Sequence, residues 1–157
     1  MIDRHWSRHR ETVRERVRSA PPGVTVVHVG VHTFTPVWKG RRRTTTIGLL
    51  YHPRRPAEAG LVRRWRRELV RRLPAELLPA DQFPAGQLRV HLNRPYRGWT
   101  DGLTTALRRE LPDSRYLGIE LEVSQGLTVA RGMAKEIGQA AATALRSVLR
   151  TKGARSG

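Results

Sequence analysis

The chain has 157 residues, a length at which one hydrophobic core can form and a single domain is expected. It contains no cysteine, which excludes disulfides, thiol nucleophiles and cysteine-ligated zinc. Lys and Arg outnumber Asp and Glu by 30 to 13, giving a net charge of +17, and such a field attracts polyanions, so nucleic acid is a candidate partner. The same arginine-rich composition is also typical of a GC-rich genome.

No apolar run approaches the ~20 residues that a membrane-spanning helix needs. No apolar segment follows Met1, as a signal peptide would require. We therefore expect a cytoplasmic protein with no membrane partner. Its organisation is expected to be one α/β domain over residues 1–152, followed by a disordered basic tail at residues 153–157.

Two amphipathic helices are predicted in the first half of the chain. The first covers residues 3–18, where His5 and His9 stand four apart; they are either surface histidines or a pair spaced to bind a metal. The second covers residues 57–73, with an apolar stripe that repeats every four residues. Its other face is either a solvated surface or one that tracks phosphates, and it carries Arg63, Arg64, Arg66, Arg67, Arg71 and Arg72.

Between these helices, residues 24–32 predict a strand. Its valines occupy both even and odd positions, which indicates burial on both faces. Alternation places His28 and His32 on the face opposite Val27 and Val29. We expect His28 to be a satisfied core residue. His32 is predicted at the carboxyl end of the strand, where open α/β sheets bind their ligands.

The remaining elements alternate between strands and helices. Gly48 lies within one strand and indicates a bulge or a close backbone approach. Glu120 and Glu122 share a face of another, and at least one should meet solvent, a metal or a cation. This order predicts a three-layer α/β domain with a mostly parallel or mixed sheet. The predicted elements are strand 44–51, loop 74–87 with a helical turn at 75–78, strand 88–92, loop 93–99, helix 101–111, strand 116–123 and helix 128–151.

Three linked motifs resemble the N-formylglutamate amidohydrolase family. They are HTFTPVWKGRRRTTTIGLLY at residues 32–51, LNRPYRGWTDGLTTALRREL at 92–111 and YLGIELEVSQGL at 116–127. The family pattern has His-Ser-Phe-Thr-Pro, an arginine-containing loop, Ile-Gly-hydrophobic-hydrophobic-Tyr, Asn-x-Pro-Tyr-x-Gly and Glu-Ile/Val-x-Gln. Three motifs in order are specific, and they cover most of the chain.

The resemblance implies a zinc-dependent amidase with a fold similar to zinc carboxypeptidases, acting on the linear amide of an N-acylated acidic amino acid or a similar small anionic substrate. It implies that His32 is a zinc ligand and that Glu122 activates a water for attack on the amide. The acidic substrate would be held by Arg43, Asn93 and Tyr96, with Thr33 replacing the usual serine and keeping its hydroxyl.

The motifs belong to the late half of the family pattern, and in family members the preceding segment supplies the first histidine and the acidic zinc ligand. A catalytic zinc needs about three protein ligands, and the resemblance assigns only His32 here. His28 would lie about 13 Å away along the strand, too far to share one ion. The chain is therefore either part of a longer product or a short version that lost the metal and kept an acid-binding pocket.

Two other functions stay open. One is a nucleic-acid-binding protein that binds through its arginines. Trp65, on the apolar side, is the one aromatic residue within 63–72, which does not favour a surface there on which single-stranded bases could stack. The other is a non-catalytic scaffold or partner-dependent half-domain. That hypothesis predicts an exposed sheet edge.

Overall fold

The computed structural model describes residues 2–73, 88–129 and 133–153. Its helices are α1 (Ile2–Arg18), α2 (Pro56–Arg72), α3 (Gly102–Glu110), α4 (Gln125–Thr128) and α5 (Met133–Gly153). Its strands are β1 (Val26–Phe34), β2 (Val37–Trp38), β3 (Arg41–Arg42), β4 (Ile47–Leu50), β5 (Val90–Leu92) and β6 (Tyr116–Ser124). None of the described helices is long and apolar enough to cross a bilayer.

The main sheet has the strand order β1-β6-β4-β5. β1 runs parallel to β6, β6 is antiparallel to β4, and β4 is parallel to β5. The sheet is therefore mixed, as predicted. β2 and β3 form a separate antiparallel hairpin, which the sequence did not predict. Its turn uses Lys39 and Gly40 with positive φ angles of 49° and 74°.

Alternation along β6 divides the sheet into two faces. Odd-numbered residues such as Ile119 and Leu121 pack against α2 and α5 in the larger core, which also contains Trp65. The Trp65 indole N–H donates to the carbonyl of Ala141 at 3.0 Å, which satisfies its buried polar atom. Even-numbered residues face the other way, where Tyr116 packs against α1 and α3. Helices thus cover both faces, and the three-layer α/β prediction is confirmed.

The first strand differs most from its prediction. β1 spans residues 26–34 rather than 24–32, so His32 lies within the strand and not at its end. β1 pairs only with β6 among the described residues, and its last part is exposed, with Val31 at 66%. The prediction that β1 is buried on both faces was therefore wrong, because β1 lies at an edge of the sheet. His28 is satisfied as expected: its Nδ1 lies 2.7 Å from the Tyr116 hydroxyl.

Other boundaries shifted by a few residues. β4 is shorter than the predicted strand 44–51, and α3 ends at Glu110. Of the predicted helix 128–151, the described part is α5, which begins at Met133, and the short helix α4 precedes it; residues 130–132 lie outside the described residues. The predicted loop 74–87, with its helical turn at 75–78, lies outside the described residues. The same holds for residues 154–157 of the predicted tail, whereas Gly153 is the last residue of α5.

Candidate functional site

A row of polar side chains crosses the even-numbered face of the sheet. In the β1–β6 register His32 is the partner of Glu122, and in the β4–β6 register Gly48 is the partner of Glu122. Residues paired in register project to the same face, so Glu122 has His32 on one side and a glycine on the other. Two residues earlier, Glu120 lies beside Gly30. The prediction that both carboxylates share one face is confirmed.

Glu122 is the most unusual group in this row. It is buried, and its Oε2 atom has no hydrogen-bond partner among the described residues. Ser124, which projects to the same face, also has a buried hydroxyl without a partner there. Burial raises the pKa of Glu122, and neighbouring Glu120 adds to the rise, while His32 and Arg43 oppose it. Unsatisfied buried polar groups with a shifted pKa are typical of ligand-binding or catalytic sites.

His32 is exposed, and its imidazole folds back along its own strand over Gly30. A Cβ at Gly30 would lie 3.2 Å from His32 Nε2 and 3.6 Å from Glu120 Cγ, so a larger residue there would crowd both side chains. Among the described residues no group of three His, Asp or Glu side chains could hold a metal ion. In the part of the chain that the structure describes, His32 therefore has too few potential ligands beside it to complete a zinc site.

The second carboxylate is held by the start of α3. Thr104 donates its hydroxyl to Glu120 Oε1 at 2.7 Å. A Cβ at Gly102, the first residue of α3, would lie 3.4 Å from the same oxygen. The amino end of a helix carries a partial positive charge, so this position favours a carboxylate. Glu120 is partly exposed, which agrees with the expectation that one of the two carboxylates would meet solvent.

The loop after β5 reaches the site by an unexpected route. β4 and β5 run opposite to β1 and β6, so their carboxyl ends do not lie at the edge where β1 ends. The loop instead folds across the sheet face, and a Cβ at Gly48 would overlap the carbonyl oxygen of Arg94. Asn93, with φ of 51°, accepts hydrogen bonds at Oδ1 from the backbone N–H of Tyr51 at 3.0 Å and of Gly98 at 3.3 Å. Its acceptor atom therefore fixes the loop.

Arg43 lies in a cage of aromatic rings beyond this loop. Its guanidinium carbon is 5.5 Å from the ring centre of Phe34, 5.4 Å from that of Trp38 and 5.0 Å from that of Tyr96. Its Nη1 donates to the Tyr96 hydroxyl at 3.1 Å and to the Thr35 carbonyl at 3.5 Å. The other guanidinium N–H groups have no bond to any described residue. They can donate to an anion.

The structure does not bring every predicted residue into this group. Strand alternation turns Thr33 to the opposite face from His32 and Glu122, and its hydroxyl instead accepts a hydrogen bond from Gln125 Nε2 at 3.5 Å. Glu122, His32, Arg43 and Tyr96 lie together on the even-numbered side. Asn93 lies beside them as the residue that fixes the loop.

A buried ion pair beneath the site was missed in the sequence. Glu58 is fully buried and accepts from Arg108 Nε at 2.9 Å, from the backbone N–H of His52 and from that of Gly118. Arg108 also donates to the carbonyls of Gly98 and Gly118. The pair thus joins α2, α3, β6 and the loop after β5. The position of Glu58 on the apolar stripe of α2 was an available signal, whereas Arg108 lies beside Thr104 and Thr105 on α3 and gave none.

The arginine face of α2 is less available than its sequence indicated. Arg66 donates to the carbonyl of Val90 at 2.7 Å, and Arg71 and Arg72 both pair with Glu68. Arg63 and Arg67 are exposed and have no partner among the described residues.

Comparison with known proteins supports the fold alone. No family model matches the chain, and no curated protein matches it. The crystal structure of the gene product Atu2144 from Agrobacterium tumefaciens is similar, with a TM-score of 0.55 and 23% sequence identity over 94% of this chain. The match covers 50% of that protein, so this chain spans about half its length. The two chains share an α/β fold.

Proposed function

We propose that this chain is an N-formylglutamate amidohydrolase-like hydrolase domain that acts on the amide of an N-acylated acidic amino acid or a similar small carboxylate. The observation that carries the proposal is Glu122, a buried carboxylate that lies beside His32 and near Arg43 and has one oxygen without a partner among the described residues. The three sequence motifs meet at this one place. Their convergence supports the proposal more strongly than any single residue.

Glu122 is suited to act as a general base. As a carboxylate it can take a proton from a water that adds to the amide carbonyl, and it can then pass that proton to the nitrogen as the C–N bond breaks. Burial raises its pKa and so brings its basicity closer to the operating pH. Among the described residues no donor competes for the lone pairs of its Oε2 atom.

Arg43 is suited to hold the acidic part of the substrate. The aromatic cage and the Tyr96 hydroxyl fix one side of the guanidinium, which leaves its remaining donors in place for a carboxylate. Two parallel N–H donors match the two oxygens of such a group. Glu122 lies close enough to Arg43 for the guanidinium charge to oppose the rise of its pKa, so a carboxylate bound at Arg43 would lie near this base.

Zinc is part of the proposal because the sequence resembles the amidohydrolase family. A bound zinc would polarise the amide carbonyl of the substrate. The described residues supply one imidazole ligand, His32, against the usual three protein ligands, so they do not fit a complete zinc site. The zinc-dependent form of the activity requires ligands beyond those described.

The test is substrate selectivity in the purified protein, measured with and without added zinc. Formate release should be detectable from N-formylglutamate and at least about tenfold slower from N-formylleucine, because the second lacks the side-chain carboxylate. Arg43→Gln should remove this preference, while Arg41→Gln at an exposed neighbouring position should keep it. No release from either compound, together with no bound zinc, would rule out the catalytic form for this chain.

A non-catalytic, partner-dependent domain is the second candidate, and β1 favours it because this strand pairs only with β6 in the described ranges. The backbone N–H of Val26 donates to Arg115, so alternation turns the N–H and carbonyl groups of Val27, Val29 and Val31 away from β6. Backbone N–H and carbonyl groups that point away from a sheet edge can hydrogen-bond to a strand of another chain. Light scattering tests the idea: the wild type should associate and Val31→Lys should be monomeric. A wild type that stays monomeric at all concentrations would remove its basis.

A further inference from the structure

The hairpin β2–β3 and the loop after β5 together expose aromatic rings among cations. Trp38 is 57% exposed and Tyr96 is 42% exposed, both unusually open for large rings. They flank the same guanidinium, that of Arg43, at 5.4 and 5.0 Å. Two exposed rings are thus held close together by a cation between them.

The hairpin register explains how this surface forms. Trp38 pairs with Arg41, so the two side chains lie on the same side of the hairpin, and Arg43 projects to that side two residues later. Lys39 occupies the turn. Lys39 and Arg41 are exposed, and neither has a carboxylate partner among the described residues. The hairpin therefore adds uncompensated positive charge next to an open indole ring.

The same combination continues along the loop after β5. The Arg97 guanidinium lies 6.0 Å from the ring centre of Trp99, and the His52 ring lies 6.4 Å from that ring on an adjacent segment. Arg94 and Arg97 are exposed. The hairpin and the loop after β5 meet at Arg43, which contacts both Trp38 and Tyr96. We call the aromatic and cationic residues of these two segments the hairpin surface; they are Trp38, Lys39, Arg41, Arg94, Tyr96, Arg97 and Trp99.

We propose that the hairpin surface binds single-stranded nucleic acid, with bases stacking on Trp38 and Tyr96 and phosphates contacting Lys39, Arg41 and Arg97. Sequence-tolerant single-strand sites combine aromatic platforms with a cationic track in this way. The net charge of +17 is complementary to such a ligand. The helix α2 has arginines but lacks the platform, since Trp65 there is 1% exposed.

Four fluorescently labelled ligands separate stacking from charge: a single-stranded DNA and a single-stranded RNA of about 15 nucleotides, a duplex of the same length, and inorganic polyphosphate, which has no bases. Binding is measured by anisotropy over a salt series around ~150 mM. Trp38→Ala should weaken single-strand binding about tenfold and leave polyphosphate binding unchanged. Circular dichroism checks that the variant is folded, which is expected because Trp38 is exposed.

Charge-matched pairs locate the surface. Lys39→Gln/Arg41→Gln should weaken single-strand binding and lower the slope of log affinity against log salt by about 1.4, the value for two lost phosphate contacts. Arg63→Gln/Arg67→Gln removes the same charge from α2 and should leave that slope nearly unchanged. The proposal is overturned if Trp38→Ala has no effect, if it weakens polyphosphate equally, if the α2 pair loses as much affinity, or if the duplex binds more tightly than both single strands.

Discussion

Gly48 and Glu122 face each other directly in the antiparallel pairing of β4 and β6, and a Cβ at Gly48 would lie 3.3 Å from the Cβ of Glu122. The same Cβ would overlap the carbonyl oxygen of Arg94, which lies over the strand. The missing side chain is therefore what allows the loop after β5 to reach the carboxylate. Glycine within a strand often marks such a close backbone approach.

Gly48→Ala should displace this loop and destabilise the protein by about 1–3 kcal/mol, the usual cost of overpacking a close contact. The measurement is urea denaturation followed by circular dichroism. Gly138→Ala is the matched control, because a Cβ there meets nothing within 4 Å and lies in helix α5, where alanine is favoured by up to about 1 kcal/mol. Equal stability of Gly48→Ala and the wild type would show that the loop does not lie over this strand.

Glu122 should make stability depend on pH in a particular direction. Its pKa is raised in the folded state by burial, so the folded protein favours the protonated carboxyl more than the unfolded chain does. This contribution is fully present below the unfolded pKa and is lost as the pH rises through the raised folded pKa. Glu122→Gln cannot ionise, so its free energy of unfolding relative to wild type should increase between about pH 4 and pH 8.

The control for this titration is Glu136→Gln, which alters an exposed carboxylate on α5. Its difference from the wild type should stay nearly constant over the same pH range. A Glu122→Gln difference that is flat, or that shrinks as the pH rises, would show that the Glu122 carboxyl is not buried in the folded protein.

Periodicity was enough to predict α1, α2 and α3 and which residues of a strand share a face. The four-residue repeat located α2, and alternation placed Glu120 and Glu122 on one face. Alternation does not reveal strand direction, so the reversed course of β4 and β5 could not be predicted. Alternation also does not reveal which strands pair with each other. The sequence of a valine-rich edge strand such as β1 is therefore similar to that of a central strand.

The parts of the site that escaped prediction depend on contacts between residues far apart in the chain. Glu58 and Arg108 are 50 residues apart, and nothing local identifies them as partners. Asn93 was predicted to hold substrate, but its Oδ1 accepts two backbone hydrogen bonds that only the folded loop makes. The role of a polar side chain thus depends on where the chain places its partners.

Breaking the ion pair between Glu58 and Arg108 should cost much more than breaking an exposed one. Arg108→Met leaves the fully buried Glu58 carboxylate with Arg55, whose Nε lies 3.2 Å away. Removing one partner of a buried ion pair costs about 3–5 kcal/mol, and we expect the lower end of that range here. Arg18→Met removes an exposed partner of Glu110 and should cost less than about 1 kcal/mol. Thermal unfolding of the two variants compares them, and a similar loss in both would mean that Glu58 is not isolated from water.

Substitutions of Asn93 test whether this residue stabilises the loop after β5 through the hydrogen bonds that it accepts. Asn93→Asp keeps an oxygen that can accept from the backbone N–H groups of Tyr51 and Gly98, whereas Asn93→Ala leaves these donors without it. The alanine variant should therefore lose about 1–3 kcal/mol of stability, and the aspartate variant should lose less. Chemical denaturation measures the difference. Equal losses would assign the role of Asn93 to something other than the accepted hydrogen bonds.

The proton-transfer role of Glu122 is tested most directly by the rate of formate release from N-formylglutamate at saturating substrate. Glu122→Gln preserves size and removes the base, so this rate should fall by about 10²–10⁴-fold while Glu136→Gln behaves as wild type. A Glu122→Gln variant that hydrolyses the substrate at the wild-type rate would contradict the central claim that this buried carboxylate carries the chemistry.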